Sequence, residues 1–271
     1  MIEFNPPGYR RLLQHIQNNG YCFAQFRDLT DVQSGETKKC FMRHDVDVSL
    51  DFALQMAELE HSMDVRVTYF VMFRSPIYNL LSRHNSFVLE SIQRLGHQIC
   101  LHFDAGGVRE TQFPIARWIE FELGALEFLT GEKITAFSLH QPSQATIDQR
   151  IELPGVVNTY HPEHLRGIRY LSDSNRDWRG KDPVREIESG QDSLQILTHP
   201  LWWMCRDSID DCWDAAICAN FANAQRQLLA TERAYGMARK MVLVRNDDHN
   251  GFEGSVAKMA EDTASRDDPQ R

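Results

Sequence analysis

The chain has 271 residues, of which 42% are hydrophobic and 25% charged, and its formal net charge is -9. Such a length and composition are those of a globular domain with a full hydrophobic core. The acidic balance argues against a protein that coats nucleic acid, and the absence of any run of about 18 apolar residues excludes a membrane-spanning helix.

The N-terminus and the cysteines indicate the compartment. The first twenty residues lack the basic start and apolar run of a secretory signal peptide. The six cysteines form no CxxC pair and no regular framework, which is typical of reduced thiols. We therefore expect a cytoplasmic protein that meets its substrate in the cytosol or at the inner membrane face.

Apolar periodicity predicts helices that alternate with strands along the chain. The predicted helices are 8–19, 50–62, 86–95, 113–129 and 210–239, and the predicted strands are 38–43, 65–73, 97–103, 134–140, 155–160, 167–172 and 193–199. Ser49 is expected to cap the second helix and Gly131 to end the fourth. This rhythm predicts parallel βαβ units, hence an α/β fold of the distorted or incomplete TIM-like barrel type.

The pattern predicts one barrel domain over residues 1–245, with its core at 38–203. Residues 246–271 are polar and show no periodicity, so we expect a flexible C-terminal tail. The long helix after Ile209 could cap the barrel or pair with a second chain, which leaves the oligomeric state open.

Histidines and carboxylates follow several of the predicted strands. In parallel barrels the active residues lie at the carboxyl ends of strands, so these side chains should share one rim. The group consists of Asp45, Asp47, His102, Asp104, His140, Asp173, Asp177 and His199. Such a set suits a divalent metal. Asp45 and Asp47 are two positions apart, and one could bind the metal while the other takes a proton from water. Alternatively, the two could form a solvated acidic turn.

The order and spacing of these motifs over residues 38–203 resemble the polysaccharide-deacetylase family, the NodB-homology carbohydrate esterases. RHDVD (43–47) is similar to the first family motif with one residue inserted, which implies that Asp45 is the base and Asp47 a metal ligand. GHQICLHFDAG (96–106) matches the second motif and implies His102 as a ligand, although Gly106 stands where the family has a second His.

The later motifs follow in the family order. SLHQPS (138–143) stands at the third motif but lacks its Arg, and DSNRDW (173–178) resembles the fourth. ILTHPLWW (196–203) resembles the fifth, which implies that His199 is the general acid. The whole pattern looks like a branch associated with bacterial surface-polysaccharide and lipopolysaccharide O-antigen biosynthesis.

The resemblance implies one divalent metal ion, expected to be zinc, on Asp47 and His102. The third ligand is either His140 or Asp104, and His140 could instead be a hydrogen-bonding partner of Asp45. Arg43 could replace the missing motif-three Arg, but because it precedes the acids we expect it to point away.

The implied reaction is hydrolysis of an N-acyl group on an amino sugar linked to a nucleotide or a lipid. Substrate contacts are expected from Asp104, Arg74, Asp173, Asp177, Trp202 and Trp203. The two tryptophans could stack on the apolar face of a sugar. Two alternatives stay open: a metal-independent amide hydrolase on the same fold, and a non-catalytic sugar-binding relative, against which the retained Asp45 and His199 argue.

Overall fold

The structure of the chain, a computed structural model, describes residues 2–29, 38–108, 112–190, 193–205 and 208–232. It divides into two units, Met1–Ala222 and Asn223–Arg271. The described part of the second unit, residues 223–232, contains the end of the helix Ile209–Thr231. The expected tail at 246–271 lies outside the described residues, and a single domain over 1–245 stays a prediction.

One parallel sheet forms the centre of the first unit. Its strands are Cys22–Ala24 (β1), Lys39–Val46 (β2), Thr68–Val71 (β3), Gln98–Phe103 (β4), Ala136–Leu139 (β5), Val157–Asn158 (β6), Ile168–Ser172 (β7) and Ser193–Thr198 (β8). The order is β6-β5-β4-β3-β2-β8-β7, and β1 pairs with the first residues of β2. Every strand pair is parallel, as the alternation of helices and strands predicts.

The sheet curls strongly. In a flat sheet β2 and β6 would lie about 19 Å apart, because neighbouring strands are separated by about 4.8 Å. Nevertheless Arg43 Nη1 on β2 donates to Thr159 Oγ1, one residue beyond β6, at 2.8 Å. Within the described residues β6 and β7 do not pair, so the barrel stays open on that side. The predicted α/β fold, a distorted and incomplete (β/α) barrel, is confirmed.

Helices precede, connect and follow the strands. They are Pro6–Asn18 (α1), Leu50–His61 (α2), Arg83–Arg94 (α3), Ile115–Thr130 (α4), Gln144–Asp148 (α5), Pro183–Glu188 (α6), Pro200–Met204 (α7) and Ile209–Thr231 (α8). Ser49 caps α2 by accepting from Phe52 N at 3.3 Å, and Gly131 ends α4 at a φ of 70°, both as predicted. None of the helices described is long and apolar enough to cross a bilayer.

The sequence missed only short elements within the described residues. They include β1, α5, α6, α7 and the 3-10 helices Ala105–Gly107 and Ser174–Arg176, each of six residues or fewer, which is too short for periodicity to stand out. The expected strand at 65–73 is shorter than predicted and covers Thr68–Val71, because pairing with both β2 and β4 starts at Thr68.

Both faces of β2 carry buried polar side chains. Arg43 and Asp45 face the inside of the curled sheet, whereas His44, by strand alternation, faces the helices. There His44 bonds Glu60 of α2 at 2.7 Å. The other partners of this fully buried cluster are Thr198, which bonds His44 at 2.6 Å, Tyr69, which donates to Glu60 at 2.6 Å, and Tyr9, which donates to Glu60.

Candidate active site

A cleft of about 520 Å³ lies at the carboxyl ends of the strands. Ionisable side chains that follow or end β2, β4, β5 and β8 line it: Asp45, Asp47, His102, His140 and His199. Tyr160, Tyr170, Trp202 and Trp213 add aromatic walls, and Asn175 and Arg179 lie on the loop after β7. Five of the eight side chains expected at one rim therefore line one cleft, whereas Asp104, Asp173 and Asp177 do not.

Three ligand-type atoms converge in this cleft. His102 Nε2 lies 3.0 Å from Asp47 Oδ1, His140 Nδ1 lies 3.3 Å from the same oxygen, and the two nitrogens are 3.2 Å apart. Metal bonds of about 2.0–2.2 Å in a tetrahedral site place ligand atoms roughly 3.3–3.6 Å from one another. The three atoms thus have nearly the spacing of one face of such a tetrahedron, and a fourth position would remain for water or substrate.

Hydrogen bonds behind His102 fix its ring for this role. Ser138 Oγ donates to Asp45 Oδ1 at 3.4 Å, so the same hydroxyl accepts from His102 Nδ1 at 2.7 Å. An imidazole whose Nδ1 donates in this way can offer Nε2 to a metal ion at the position shared with Asp47 and His140. Ser138 is the register neighbour of His102 on β5, which explains why the two side chains share a face.

Asp47 has the properties of an unsatisfied ligand. Its Oδ1 is buried, and among the described residues no well-aligned hydrogen bond reaches it, although two imidazoles are close. Burial alone would raise the pKa of this carboxyl group, but His102 and His140 hold it well below the ordinary value. The pKa of His140 is raised, chiefly by its contact with Asp47. One carboxylate and two imidazoles fit a divalent ion such as zinc.

Asp45 is held by Arg43, so the expectation that Arg43 points away was wrong. Arg43 Nε donates to Asp45 Oδ1 at 2.8 Å and Nη2 donates to Oδ2 at 2.6 Å. The two residues lie on the same face of β2 because they are two positions apart. Burial alone would raise the pKa of Asp45, but Arg43 holds it below the usual range, and Asp45 in turn raises the pKa of the buried Arg43.

His199 is oriented by Asp173. Its Nδ1 lies 2.6 Å from Asp173 Oδ1, and its backbone N–H donates to Asp173 Oδ2 at 3.0 Å. Trp203 Nε1 also donates to Oδ2, at 2.7 Å. Burial alone would lower the pKa of His199, but Asp173 raises it to about 9. His199 Nε2 therefore faces the cleft as a proton donor, 3.7 Å from Asp47 Oδ2.

Several residues expected to contact substrate lie elsewhere. Asp173 and Trp203 are fully buried behind His199. Arg74 pairs with Glu122 and bonds the backbone of Asp104, whose carboxylate caps Gly106 N at 2.8 Å. Asp177 is exposed and does not line the cleft. Of the six expected residues, Trp202 alone lines it, and its ring packs edge-on against Trp213 at 5.3 Å.

Arg43, Ser138, Arg179 and Trp213 are among the residues whose place at the site was not predicted from the sequence. Side chains two positions apart on a strand lie on the same face, so Asp45 could have indicated Arg43 and His140 could have indicated Ser138. Arg179 and Trp213 carried no such signal, because a loop and a separate helix bring them to the cleft.

No family model and no curated protein sequence matches the chain. Solved structures that it resembles include a peptidoglycan N-acetylglucosamine deacetylase (15% identity, TM-score 0.43, 77% of this chain and 90% of that one) and a family 4 carbohydrate esterase from Bacillus anthracis (15%, 0.39, 78% and 86%). A third is a mutant of a CE4 family pseudoenzyme with restored enzymatic activity, at 13% identity and a TM-score of 0.40. The match covers 70% of this chain and 65% of that one. Each identity is below 25% and each TM-score below 0.5.

Proposed function

We propose that the protein is a divalent-metal-dependent hydrolase of the polysaccharide-deacetylase type, with zinc as the expected metal. Its substrate would be an amino sugar, linked to a nucleotide or a lipid, from which it removes an N-acyl group. The observation that carries the proposal is the convergence of Asp47, His102 and His140 in one cleft with two further supported groups, Asp45 and His199.

Two distinct proton-handling groups flank the three ligands. Asp45 lines the cleft as an ionised carboxylate held by Arg43, and His199 lines it as an imidazole held by Asp173. Hydrolysis of an amide needs a group that accepts the proton of the attacking water and a group that protonates the departing amine. A protein that only binds sugar needs neither, so this pairing favours an enzyme.

The roles follow from the protonation states. Asp45 would accept the water proton at a carboxylate oxygen, and Arg43 would keep that carboxylate in place while limiting its basicity. His199 would donate its Nε2 proton to the amine nitrogen, while Asp173 balances the imidazolium charge. A divalent ion on the three ligands would supply Lewis acidity to the acyl oxygen and to water.

The shape of the cleft suits a sugar. Tyr160, Tyr170, Trp202 and Trp213 offer ring faces and edges for the apolar side of a pyranose. The volume of about 520 Å³ is within the usual range for a small-molecule site. A place in surface-polysaccharide or lipopolysaccharide O-antigen biosynthesis is the part of the proposal that rests on the sequence motifs alone, and a cytoplasmic location stays a prediction.

The test combines metal content with acyl release. Protein purified without chelator should contain close to one equivalent of zinc or another divalent ion, measured by mass spectrometry, and should release acetate from an N-acetylglucosamine donor. Asp45→Asn and His199→Gln should lower kcat by about 100-fold or more while they retain the metal. Asp47→Ala should lose the metal and the activity together.

Asp104→Asn is the matched control, because this carboxylate follows β4 yet, among the described residues, hydrogen-bonds only Gly106 N of the local turn. It should change neither metal content nor kcat appreciably. A parent protein that binds no zinc at neutral pH, even with zinc added, would refute the metal-dependent reading. Full turnover in Asp45→Asn would refute the assigned base.

A further inference from the structure

One arginine of the cleft has no role in the site described above. Arg179 is exposed, lines the cleft together with Asp47 and His199, and is the only Lys or Arg among the lining residues described. Its guanidinium has no hydrogen-bond or ion-pair partner among the described residues, whereas Arg43 and Arg74 are each engaged by a carboxylate.

The backbone around Arg179 takes an unfavourable conformation. Asn175, Arg176 and Arg179 have φ values of 61°, 57° and 54°, in the left-handed region that L-residues with a side chain avoid. Glycine adopts this region without steric cost. Asparagine tolerates this region, but Arg176 and Arg179 do not, so their side chains contribute something that glycine cannot.

In the segment 175–179, some side chains anchor the loop to the rest of the protein and others line the cleft. Arg176 Nη2 donates to the backbone oxygen of Phe4 at 3.2 Å, and its guanidinium lies 5.8 Å from the Phe4 ring. Trp178 is buried and stacks on Phe4. These anchors account for Arg176 and Trp178, and they hold the loop so that Asn175 and Arg179 line the cleft.

We propose that Arg179 forms a subsite for an oxyanion on the substrate, so that the enzyme prefers an amino sugar bearing a phosphate or a carboxylate. This rests on the proposed function, because it assigns the substrate class of the same cleft. A guanidinium binds either anion through two parallel N–H···O bonds. Arg179 places a positive charge in the cleft of a chain whose net charge is -9.

Binding to the full-length protein tests the subsite without requiring turnover. The probes are N-acetylglucosamine 1-phosphate, N-acetylglucosaminuronic acid and neutral N-acetylglucosamine, each titrated calorimetrically into chelator-treated protein. The phosphate or the uronate should bind about tenfold more tightly than the neutral sugar, and added salt should reduce this difference. The better of the two anionic probes identifies whether phosphate or carboxylate is the natural group.

Arg179→Gly should abolish the preference and leave the melting temperature unchanged or higher, because glycine suits the φ of 54°. Arg150→Gly is the matched control: Arg150 is also exposed, with a φ of 44°, but does not line the cleft. It should have a similar effect on melting temperature and none on binding. Arg179→Lys should keep part of the preference, since the charge remains without the planar fork.

The outcomes separate this inference from the proposed function. Equal affinity of the parent for charged and neutral sugars, binding of none of them, or an anion preference that survives in Arg179→Gly would each overturn the subsite. Acetate release from neutral and charged sugars with equal KM would also overturn it, while supporting the hydrolase. An anion preference that depends on Arg179 in a protein that hydrolyses nothing would leave the subsite standing and remove the proposed activity.

Discussion

Removing the guanidinium of Arg43 should destabilise the protein severely. The Arg43 and Asp45 side chains are 1% and 4% exposed and share two hydrogen bonds, and a third joins Arg43 to Thr159. Arg43→Met leaves a buried carboxylate without its main countercharge, and breaking one partner of such a pair costs about 3–5 kcal/mol. This is a large share of the 5–15 kcal/mol that stabilises a typical domain.

The double variant Arg43→Met/Asp45→Asn removes both charges and should be more stable than Arg43→Met by about 1–4 kcal/mol. Urea unfolding followed by tryptophan fluorescence gives the four free energies of the double-mutant cycle. A cost below about 1 kcal/mol for Arg43→Met, or strictly additive single variants, would refute the reasoning, because both results would mean that the pair is not coupled in the buried site.

The stability that the Arg43–Asp45 pair contributes should depend on pH. Because the pKa of Asp45 is lowered on folding, its contribution to stability is fully present above the unfolded pKa of about 3.9 and is lost as pH falls through the folded value. In Arg43→Met, burial without the countercharge should raise the pKa of Asp45, so acid should favour the folded variant. The stability difference between parent and variant should therefore begin to narrow above about pH 4, as the pH falls through the raised pKa in the variant. It should narrow further below about 4, where the parent loses its own contribution.

Three further predictions concern the ligands, the acid and the buried cluster. His140→Ala should weaken zinc binding by about tenfold or more in a chelator competition, whereas Asp104→Ala should not change it. Asp173→Asn should lower the pKa of His199 from about 9 in metal-free protein, which the proton shifts of the imidazole would report. The raised pKa stabilises the folded parent fully below about pH 6.5, and this contribution is lost as the pH rises through about 9. The contribution should be smaller in the variant. Glu60→Ala should cost about 3 kcal/mol or more in urea unfolding, because buried hydroxyls lose their acceptor.

Each of these has a result that would contradict it. Unchanged zinc affinity in His140→Ala would remove this histidine from the ligand set. A His199 pKa that does not move in Asp173→Asn would show that the raised value has another cause. For Glu60, the conservative variant Glu60→Gln is the control, since an amide oxygen can still accept from Tyr69; it should cost less than Glu60→Ala, and the reverse order would contradict the assigned role.

The fold could be predicted from the sequence because its signals are local. Ser49 and Gly131 mark helix ends through their own side-chain chemistry and backbone freedom, and the alternation of helices and strands dictates parallel pairing. How strongly the sheet curls could not be predicted from the sequence. It is visible in contacts such as Arg43 with Thr159, which lie 116 positions apart in the chain.

The sequence predicted several residues that line the cleft, but it predicted their hydrogen-bond partners less well. The ends of β2, β4, β5 and β8 gave Asp47, His102, His140 and His199, which the structure brings to one cleft. The partner of each was harder to predict, because a hydrogen bond depends on side-chain direction as well as on strand position. Asp173 illustrates this: it was expected on the cleft wall, and it lies buried behind the ring of His199.

The two-faced polarity of β2 also bears on how the chain avoids misfolding. Shifting a strand by one residue exchanges its faces, so a slipped β2 would bring His44 inside the sheet and turn Arg43 and Asp45 toward the helices. Each of these buried groups would then lose partners distant in sequence, Glu60 on one side and Thr159 on the other. Because unpaired buried polar and charged groups are costly, the misregistered sheet is disfavoured on both faces at once. The strand that supplies the chemistry is thereby also the one whose alignment is most tightly enforced during folding.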